Sequence, residues 1–289
     1  MMNNLINQTY RKALQEAENF LAQKDVPDGD IDAFLLMSHV TGLDRGKFLL
    51  IRDEFADASL LSKYHQLIEK RGERIPLQHL IGETYFMGLP FKVNENVLIP
   101  RQDTEILVEQ VLSDQEKNII PKKAALLDMC TGSGCIAISL KSLGDFQKAD
   151  AIDLSAKALE VATENASLNQ VDVTFIKSDL FESIPMDTYD VIVSNPPYIP
   201  TADIEDLEAE VKDHDPHMAL DGFEDGLYFY RVLAKECPKY LKNTGHIYFE
   251  IGYDQGETVK NLLLENGFID ISILKDFGGN DRVVTAKKP

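Results

Sequence analysis

The sequence predicts an α/β fold, in which a seven-stranded, Rossmann-like sheet follows a small N-terminal helical bundle and a β-hairpin connector. Three observations predict it. From about residue 101 onward, apolar runs of strand length alternate with amphipathic stretches of helix length. The first of these runs leads into a glycine turn at 132–134, and the last two are joined by residues 278–281, Gly-Gly-Asn-Asp. Strand–helix alternation is typical of a parallel sheet covered on both faces, and the final turn favours a terminal antiparallel pair.

Seven segments carry the apolar, strand-like pattern, and amphipathic segments lie between them. The predicted strands are Ala124–Met129, Ala149–Asp153, Val173–Lys177, Val191–Ser194, His246–Glu250, Ile271–Leu274 and Arg282–Ala286. The predicted helices of this region include Ala156–Asn169 and Leu227–Leu241. We therefore expect one parallel sheet with a single reversed strand near its end.

The N-terminal part has a different pattern. Apolar residues recur at helical spacing from Leu5 to Leu21, and two further amphipathic helices are predicted to stop near Gly42 and Gly72. Two short β-like runs, Thr84–Met87 and Phe91–Val93, then flank Gly88-Leu89-Pro90, which predicts a hairpin. Short amphipathic helices this close together usually pack as a bundle. The predicted domains are 1–75 (helical domain), 76–100 (hairpin connector) and 101–289 (sheet domain).

Charge and composition limit the possible partners. The net charge is −19; residues 1–80 carry 10 basic and 12 acidic residues, whereas residues 101–289 carry 18 and 34. Such a field repels phosphate backbones, so direct nucleic-acid binding is disfavoured and a basic protein partner is compatible. No apolar run reaches the ~20 residues that a membrane span requires. The three cysteines form no CxxC pair. We expect a cytoplasmic protein with reduced thiols and no membrane partner.

A glycine turn follows the first strand and predicts a nucleotide-like ligand. Its residues are Cys130-Thr131-Gly132-Ser133-Gly134, and a helix begins directly after them. Gly132 and Gly134 let the backbone approach a ligand where a Cβ would intrude, and the start of the helix offers unpaired N–H groups. The spacing Gly132-x-Gly134-x-x-Ala137 also satisfies the dinucleotide fingerprint. The turn alone therefore does not distinguish NAD from S-adenosylmethionine, or either from a structural turn.

Acidic residues end the next two strands. Asp153 ends the second strand, where a carboxylate can accept hydrogen bonds from both hydroxyls of a ribose, although a helix N-cap is the alternative. Ser178-Asp179-Leu180-Phe181 follows the third strand. In this topology Asp179 is a candidate partner for the amino group of an adenine, and Leu180 or Phe181 for its ring face. The structural alternative is that these residues cap the strand and pack.

The fourth strand ends in Asn195-Pro196-Pro197-Tyr198, which predicts the site of chemistry. Ligands of open α/β sheets bind at the carboxyl ends of strands, so this segment is expected beside the cofactor. The prolines fix φ and keep the Pro196 carbonyl out of the ladder. That carbonyl and the Asn195 side-chain oxygen can receive both N–H bonds of one planar –NH2 group, which Tyr198 would cover. The pattern indicates methyl transfer to such a nitrogen; a plain strand-ending turn is the alternative.

At these residues the chain resembles the bacterial protein-(glutamine-N5) methyltransferases that modify peptide-chain release factors. The resemblance extends from about residue 70 to the end, whereas the helical front half agrees only in architecture. The matching blocks are Ile75–Gly82, Phe86–Gly88, Leu98–Glu105, Asp225–Leu227, Glu250–Gly252 and Asp276–Arg282. Two positions depart from the family pattern, since Cys130 and Phe223 stand where glycine is common.

The resemblance implies the seven-stranded methyltransferase fold and transfer of a methyl group from S-adenosylmethionine to the glutamine amide of a Gly-Gly-Gln loop in release factors. By position it assigns Cys130 to Gly134, Asp153, Leu180 and Asn195 to the cofactor. It assigns Asn195 to Tyr198 to the glutamine, with Asn195, Pro196 and Tyr198 as the catalytic residues. Two other activities remain open at this point: glutamine methylation of a ribosomal protein, and adenine-N6 methylation of DNA, whose amine also suits Asn-Pro-Pro-Tyr. A non-enzymatic adaptor that retains the fold is a further alternative.

The segment Asp203–Asp225 carries ten acidic residues and one lysine. We hypothesise that it helps to dock a basic protein surface beside the site; a solvated acidic loop is the alternative. His214 and His217 lie among these acids, but the segment has no HExxH-type helix, so no metal site is predicted.

Overall fold

The computed structural model describes residues 8–184 and 188–289, and the chain divides into two units at Gly82/Glu83. Helices α1–α5 form the first unit: Tyr10–Gln23, Gly29–Thr41, Arg45–Ile51, Ala58–Gly72 and Leu77–Ile81. This helical architecture was predicted, whereas the start of the first predicted helix at Leu5 lies outside the described residues. The three-part division at residues 75 and 100 stays a prediction.

Local capping explains where the helices of the first unit begin and end. The side chain of Thr9 accepts a hydrogen bond from the Lys12 amide at the start of α1, and Gly42 ends α2 with a left-handed φ of 70°. A glycine adopts that conformation without the Cβ penalty, which is why the predicted stop is correct. Large buried side chains fill the core of this unit: Leu21, Leu36, Met37, Leu61 and Tyr64.

The second unit begins with the predicted hairpin. Strands β1 (Glu83–Phe86) and β2 (Leu89–Lys92) pair antiparallel, with Phe86 opposite Leu89. The two turn residues, Met87 and Gly88, both have positive φ, at 51° and 74°. Two positive φ angles define the turn type that matches the twist of paired strands.

A seven-stranded sheet forms the body of this unit, in the order β5-β4-β3-β6-β7-β9-β8. Only β9 runs antiparallel to its neighbours. The strands are β3 Ala124–Met129, β4 Phe146–Asp153, β5 Thr174–Lys177, β6 Tyr189–Ser194, β7 Leu241–Glu250, β8 Ile269–Lys275 and β9 Asp281–Lys287. The connecting helices are α6 Gln102–Glu116, α7 Cys135–Leu143, α8 Ala156–Leu168, α9 Ala209–Lys212, α10 His217–Leu220, α11 Tyr228–Tyr240 and α12 Gly256–Glu265, with a 3-10 turn at Thr201–Asp206.

The sheet is covered on both faces, as strand–helix alternation predicts. Adjacent residues of β3 divide between two cores, since Leu127 packs with α11 and α12 while Leu126 packs with α6 and α7. Every predicted strand is present. The largest difference is β7, which begins five residues earlier than predicted because Leu241 pairs with Tyr189 across an irregular ladder. The acidic segment also differs, since short helical turns replace the expected irregular loop.

Strand register places the candidate site. Met129 pairs with Ile152 on one side and with Ser194 on the other, and Asp153 pairs with Lys177. The carboxyl ends of β3, β4, β5 and β6 therefore lie at one edge of the sheet. The glycine turn, Asp153, Asp179 and the Asn-Pro-Pro-Tyr segment all begin at this edge.

Candidate functional site

A cleft lies at the carboxyl edge of the sheet. Seven of the residues predicted from the sequence line it: Cys130, Gly132, Asp153, Asp179, Leu180, Asn195 and Pro197. Thr131, Ser133, Gly134, Pro196 and Tyr198 are not among the lining residues. The structure thus brings four strand ends together around one space.

Within the glycine turn, the two glycines serve different purposes. Both have positive φ, 54° at Gly132 and 81° at Gly134. A Cβ on Gly132 would meet no described protein atom within 4 Å, whereas one on Gly134 would lie 2.8 Å from Ile138 Cδ1 and 3.1 Å from Ala162 Cβ. Gly132 therefore keeps the cleft open, and Gly134 permits close packing of α7 and α8.

This difference predicts that alanine substitutions at the two glycines change different properties of the protein. Gly134→Ala is expected to lower the melting temperature by several degrees, because about 1–3 kcal/mol of overpacking adds to the φ strain. Gly132→Ala carries the same kind of φ strain but places its methyl group in the cleft, so it is expected mainly to weaken cofactor binding. Thermal unfolding and calorimetric titration with S-adenosylmethionine measure the two effects; equal changes in both quantities for both variants would contradict the assignment.

Cys130 has a φ of 61°. This left-handed backbone accounts for the glycine that the family pattern has there, since other residues pay about 1–2 kcal/mol in it. Phe223, the second departure, has a φ of 66°. Both departures thus fall on backbone positions that favour glycine.

Other polar residues of the turn point into the protein. The Thr131 hydroxyl donates to Asp128 Oδ2 at 2.6 Å, and Asn165 of α8 donates to the Ser133 carbonyl at 2.9 Å. Burial raises the pKa of Asp128 to about 7. Asp128 and Asn165 hold the shape of the turn, and neither was assigned a function from the sequence. The sequence marks them only as polar residues in apolar surroundings: Asp128 within strand β3 and Asn165 on the buried face of α8.

Asp153 stands at the centre of the cleft wall. Its Oδ2 accepts from the Gly132 amide at 2.8 Å, and its Oδ1 accepts from the Ser155 amide at 2.8 Å. Burial raises its pKa, while hydrogen bonds from the Ser155, Gly132 and Leu154 amides work against the shift. The N-cap of α8 is Ser155, whose side chain accepts from Ala158. The Asp153 carboxylate is therefore not the N-cap of α8, and each of its oxygens has a further lone pair beyond these hydrogen bonds.

The third strand end contributes Asp179 and Leu180 to the cleft wall. Leu180 has a φ of 44°, and strained backbone of this kind clusters at binding sites. Further lining residues come from two segments that sequence reasoning did not assign to the site: Asn96, Val97 and Leu98 before α6, and Pro216, Met218 and Phe229 around α10 and α11. Their contacts join residues distant in sequence, so no local pattern identifies them.

The Asn-Pro-Pro-Tyr segment continues β6 past the edge. The Ser194 hydroxyl donates to the Met129 carbonyl at 2.8 Å, which ties the ends of β3 and β6 together. Asn195 and Pro197 face the cleft. Tyr198 lines a second cavity, together with Leu98, Arg101, Ile199, Val211, Ala219, Leu220 and Glu250. Because Leu98 and Ala219 line both spaces, the two cavities are neighbours.

Two glycines let a loop pack closely on Tyr198. A Cβ on Gly226 would lie 2.2 Å from the Tyr198 carbonyl oxygen, and one on Gly222 would lie 2.9 Å from its backbone. Gln255 donates to the same carbonyl at 2.9 Å. These contacts explain why the Asp225–Leu227 block accompanies the Asn-Pro-Pro-Tyr motif.

The side chain of Asn195 is held by the first turn of α6. Its Nδ2 donates to Thr104 Oγ1 at 3.3 Å. The carboxylate of Glu250 is nearly fully buried, and burial raises its pKa to about 7, while hydrogen bonding from the Thr104 and Asn195 side chains works against that shift. Thr104 and Glu250 stand in sequence blocks that match the family, but the sequence gives no sign that they meet.

No group of three or more His, Cys, Asp or Glu side chains in the described ranges 8–184 and 188–289 is arranged to hold a metal ion. Asp215, in the acidic segment, instead forms an ion pair with Arg101 at 2.8 Å. Across the described part of the chain, no helix is both long and apolar enough for a membrane span.

The fold and the cleft define a Rossmann-like methyltransferase. Residues 102–210 match the methyltransferase small domain, and residues 12–82 match the PrmC N-terminal domain. Two solved structures share the fold, each at 16% sequence identity. A methyltransferase from Pyrococcus furiosus has a TM-score of 0.51, covering 70% of this chain and 90% of that one. A T. thermophilus 16S rRNA N2 G1207 methyltransferase, in complex with AdoMet (S-adenosylmethionine) and guanosine, has a TM-score of 0.52, covering 72% of this chain and 50% of that one. The chain is an S-adenosylmethionine-dependent methyltransferase.

Full-length relatives identify its family. A release factor glutamine methyltransferase of Fusobacterium nucleatum is 41% identical over 93% of this chain and 76% of its own length. One of Geobacter sulfurreducens is 39% identical over 96% and 95%, and one of Thermodesulfovibrio yellowstonii is 46% identical over 77% and 80%. The chain belongs to the release factor glutamine methyltransferase family.

Proposed function

We propose that this protein transfers a methyl group from S-adenosylmethionine to the side-chain amide N5 of the glutamine in the Gly-Gly-Gln motif of peptide-chain release factors. The observation that carries the proposal is the position of Asn195-Pro196-Pro197-Tyr198, which follows β6 beside the glycine turn; Asn195 and Pro197 line the cleft and Tyr198 lines the neighbouring cavity. Family membership supports this activity over methylation of a ribosomal protein or of DNA adenine. A translation factor as substrate also places the enzyme in the cytoplasm.

The residues of the cleft fit the cofactor. Gly132 leaves space where a Cβ would intrude, and the buried Asp153 carboxylate is suited to the two ribose hydroxyls. Asp179 lies on the same wall for the adenine amino group, and Leu180 supplies an apolar surface for the ring. When bound, S-adenosylmethionine supplies an electrophilic methyl group.

The acceptor side requires alignment more than base catalysis. Oδ1 of Asn195 and the carbonyl oxygen of Pro196 accept the two N–H bonds of the glutamine amide, which turns the nitrogen lone pair towards the cleft. Tyr198, partly buried at the second cavity, covers the planar amide. Holding the reacting groups in line is worth several kcal/mol by itself. The bond between the methyl group and the cofactor's sulfur would break as the new N–C bond forms, and the amide proton would then pass to water, so no strong base is needed beside the nitrogen.

Mass spectrometry of a release factor after incubation with enzyme and cofactor tests the proposal. We expect a mass increase of one methyl group on the glutamine of the Gly-Gly-Gln peptide, and none when that glutamine is replaced by alanine. A ribosomal-protein mixture and duplex DNA serve as competing substrates in parallel reactions. No modification of the release factor, or modification that persists without the glutamine, would show that the proposed function is wrong.

We propose further that the exposed acids between β6 and α9 help to dock the release factor. Asp203, Glu205, Asp206 and Glu208 are exposed. By contrast, Asp215 is buried in its ion pair, so it acts within the protein and not at its surface. Clustered exposed charge of one sign accelerates encounter with a basic partner at low salt.

Neutralising these four acids to Asn or Gln is expected to raise the Michaelis constant for the release factor on the order of tenfold at low salt, with a smaller effect at 0.5 M salt. The kcat and the cofactor affinity should not change. A control variant removes four exposed acids from other elements: Glu160, Asp172, Glu265 and Asp270. Equal effects of the two variants, or an unchanged Michaelis constant, would contradict the docking role and favour a solvated acidic loop.

A further inference from the structure

The orientation of the Asn195 amide decides whether the proposed site can work. An asparagine presents an acceptor on one side of its amide and two donors on the other. Only the oxygen can receive an N–H bond of the substrate amide. If the Asn195 amide were reversed, its NH2 group would face the NH2 group of the substrate, and no hydrogen bond would hold the substrate nitrogen.

Strand register brings a carboxylate next to this amide. Ser194 of β6 pairs with Phe249 of β7, so Asn195 and Glu250 follow at adjacent strand ends. Glu250 is 2% exposed. Its Oε2 has no hydrogen-bond partner among the described residues. A buried carboxylate with a free oxygen strongly favours nearby donors.

Thr104 and Asn195 are the neutral side-chain donors beside Glu250, and hydrogen bonding from them lowers the pKa of its carboxyl group against the effect of burial. Asn195 Nδ2 also donates to Thr104 Oγ1 at 3.3 Å. A hydroxyl can donate or accept, so Thr104 alone would allow either amide orientation. An ionised carboxylate only accepts. Together they engage the NH2 side of Asn195 and leave Oδ1 for the cleft.

We propose that Glu250 is a positioning residue which, with Thr104, fixes the Asn195 amide so that its oxygen faces the substrate nitrogen. The inference rests on the proposed function for the meaning of that orientation. Glu250 acts through Asn195 and receives no proton from the substrate in this arrangement.

Glu250→Gln is the most informative substitution, because it keeps the size of the side chain. A glutamine amide can both donate and accept hydrogen bonds, so it no longer fixes the orientation of the Asn195 amide. Glu250→Gln is expected to lower kcat on the order of 10- to 100-fold, since small misplacements of reacting groups have effects of this size. The Michaelis constant for S-adenosylmethionine should change little. Thr104→Val should also lower kcat, and Thr104→Ser, which restores the hydroxyl, should recover most of it.

A matched control separates positioning from packing. Tyr248 lies two residues before Glu250 on β7, is buried, and donates to Asp114 of α6 at 2.8 Å. Tyr248→Phe therefore removes another α6–β7 hydrogen bond on the same strand. It is expected to lower the melting temperature while kcat stays at the wild-type value. If Tyr248→Phe lowers kcat as much as Glu250→Gln, loosened packing explains both and the positioning role is wrong.

The pH profile adds a readout that packing does not affect. Burial raises the pKa of Glu250 to about 7. The ionised form holds Asn195, so kcat is expected to fall as the pH drops through this value. Glu250→Gln should remove that part of the acid limb, while any contribution of Asp128, with a pKa also about 7, remains. The other titratable groups that interact with Glu250 are Asp103, Cys135, Tyr198, Tyr230 and Arg282.

Side-chain NMR tests the inference without any methyl acceptor. In protein labelled with 15N-asparagine, the Asn195 NH2 signals, assigned by their loss in Asn195→Asp, should exchange slowly with water. In Glu250→Gln this exchange should be about tenfold faster. Equal exchange in wild type and variant would overturn the inference, even if the release factor is methylated. If the release factor is not methylated but the exchange difference is present, the proposed function fails and the positioning role stands.

Discussion

Replacing Asn195 with alanine is expected to lower kcat on the order of 100- to 1,000-fold, the range seen when one preorganised hydrogen-bonding group is removed from a reaction site. The dissociation constant for S-adenosylmethionine should change little. Asn195 also lines the cleft, but the residues that we propose for cofactor binding lie at or just after the ends of β3, β4 and β5. The removed oxygen is the one proposed to align the acceptor nitrogen. Single-turnover kinetics and calorimetric titration separate the two quantities.

Asn96→Ala provides the matched control for this variant. Asn96 also lines the cleft, and its Nδ2 donates to Asn94 Oδ1 at 3.1 Å, within its own loop. The same chemical truncation there should leave most of the turnover. If Asn195→Ala weakens cofactor binding as strongly as it lowers kcat, Asn195 acts mainly on the cofactor and its role as an acceptor for the substrate amide is wrong.

The second large effect is expected at Asp153. Asp153→Asn should raise the dissociation constant for S-adenosylmethionine on the order of 10- to 100-fold, because a hydrogen bond to a charged group contributes about 1.5–3 kcal/mol. The amide also places an NH2 group against one of the backbone donors, Gly132 or Ser155, that the carboxylate now accepts from. We therefore expect a modest loss of thermal stability as well.

Two comparisons make this prediction specific to the ribose. Wild-type protein should bind S-adenosylhomocysteine more tightly than its 2′-deoxyribose analogue, and Asp153→Asn should discriminate between them much less. Asp150 is also on β4 and buried, where it accepts from the Tyr189 hydroxyl at 2.6 Å, but it does not line the cleft. Asp150→Asn should reduce stability without weakening the cofactor. Equal dissociation constants for the two variants would mean that Asp153 supports the strand end and not the ligand.

Local sequence patterns predicted most of the fold correctly. All seven strands of the sheet, its single reversed strand and the hairpin follow from apolar periodicity and turn residues. The boundary of β7 was misplaced, since β7 extends back over the polar stretch at 242–244 to Leu241, which pairs with Tyr189 beyond a register shift. Such pairing depends on a neighbour and not on local propensity.

The Asn-Pro-Pro-Tyr segment, the glycine turn and Asp153 were identifiable because each has a motif with its own physical reason: fixed φ angles, backbone without a Cβ, and a carboxylate at a strand end. The sequence alone therefore predicted a methyl-transfer site at the edge of a parallel sheet. It did not determine which polar residues of that motif face the ligand.

Tertiary structure decided those positions. In the folded protein Thr131 and Ser133 are buried, and Gly134 packs against α7 and α8. Thr104 accepts a hydrogen bond from Asn195, and Glu250 lies at the adjacent strand end. Strand register and helix packing bring together residues far apart in sequence, such as Thr104 and Glu250, which are 146 positions apart. Their hydrogen bonds exist only when the sheet has formed, because no local periodicity encodes a contact between the start of one helix and the end of a distant strand.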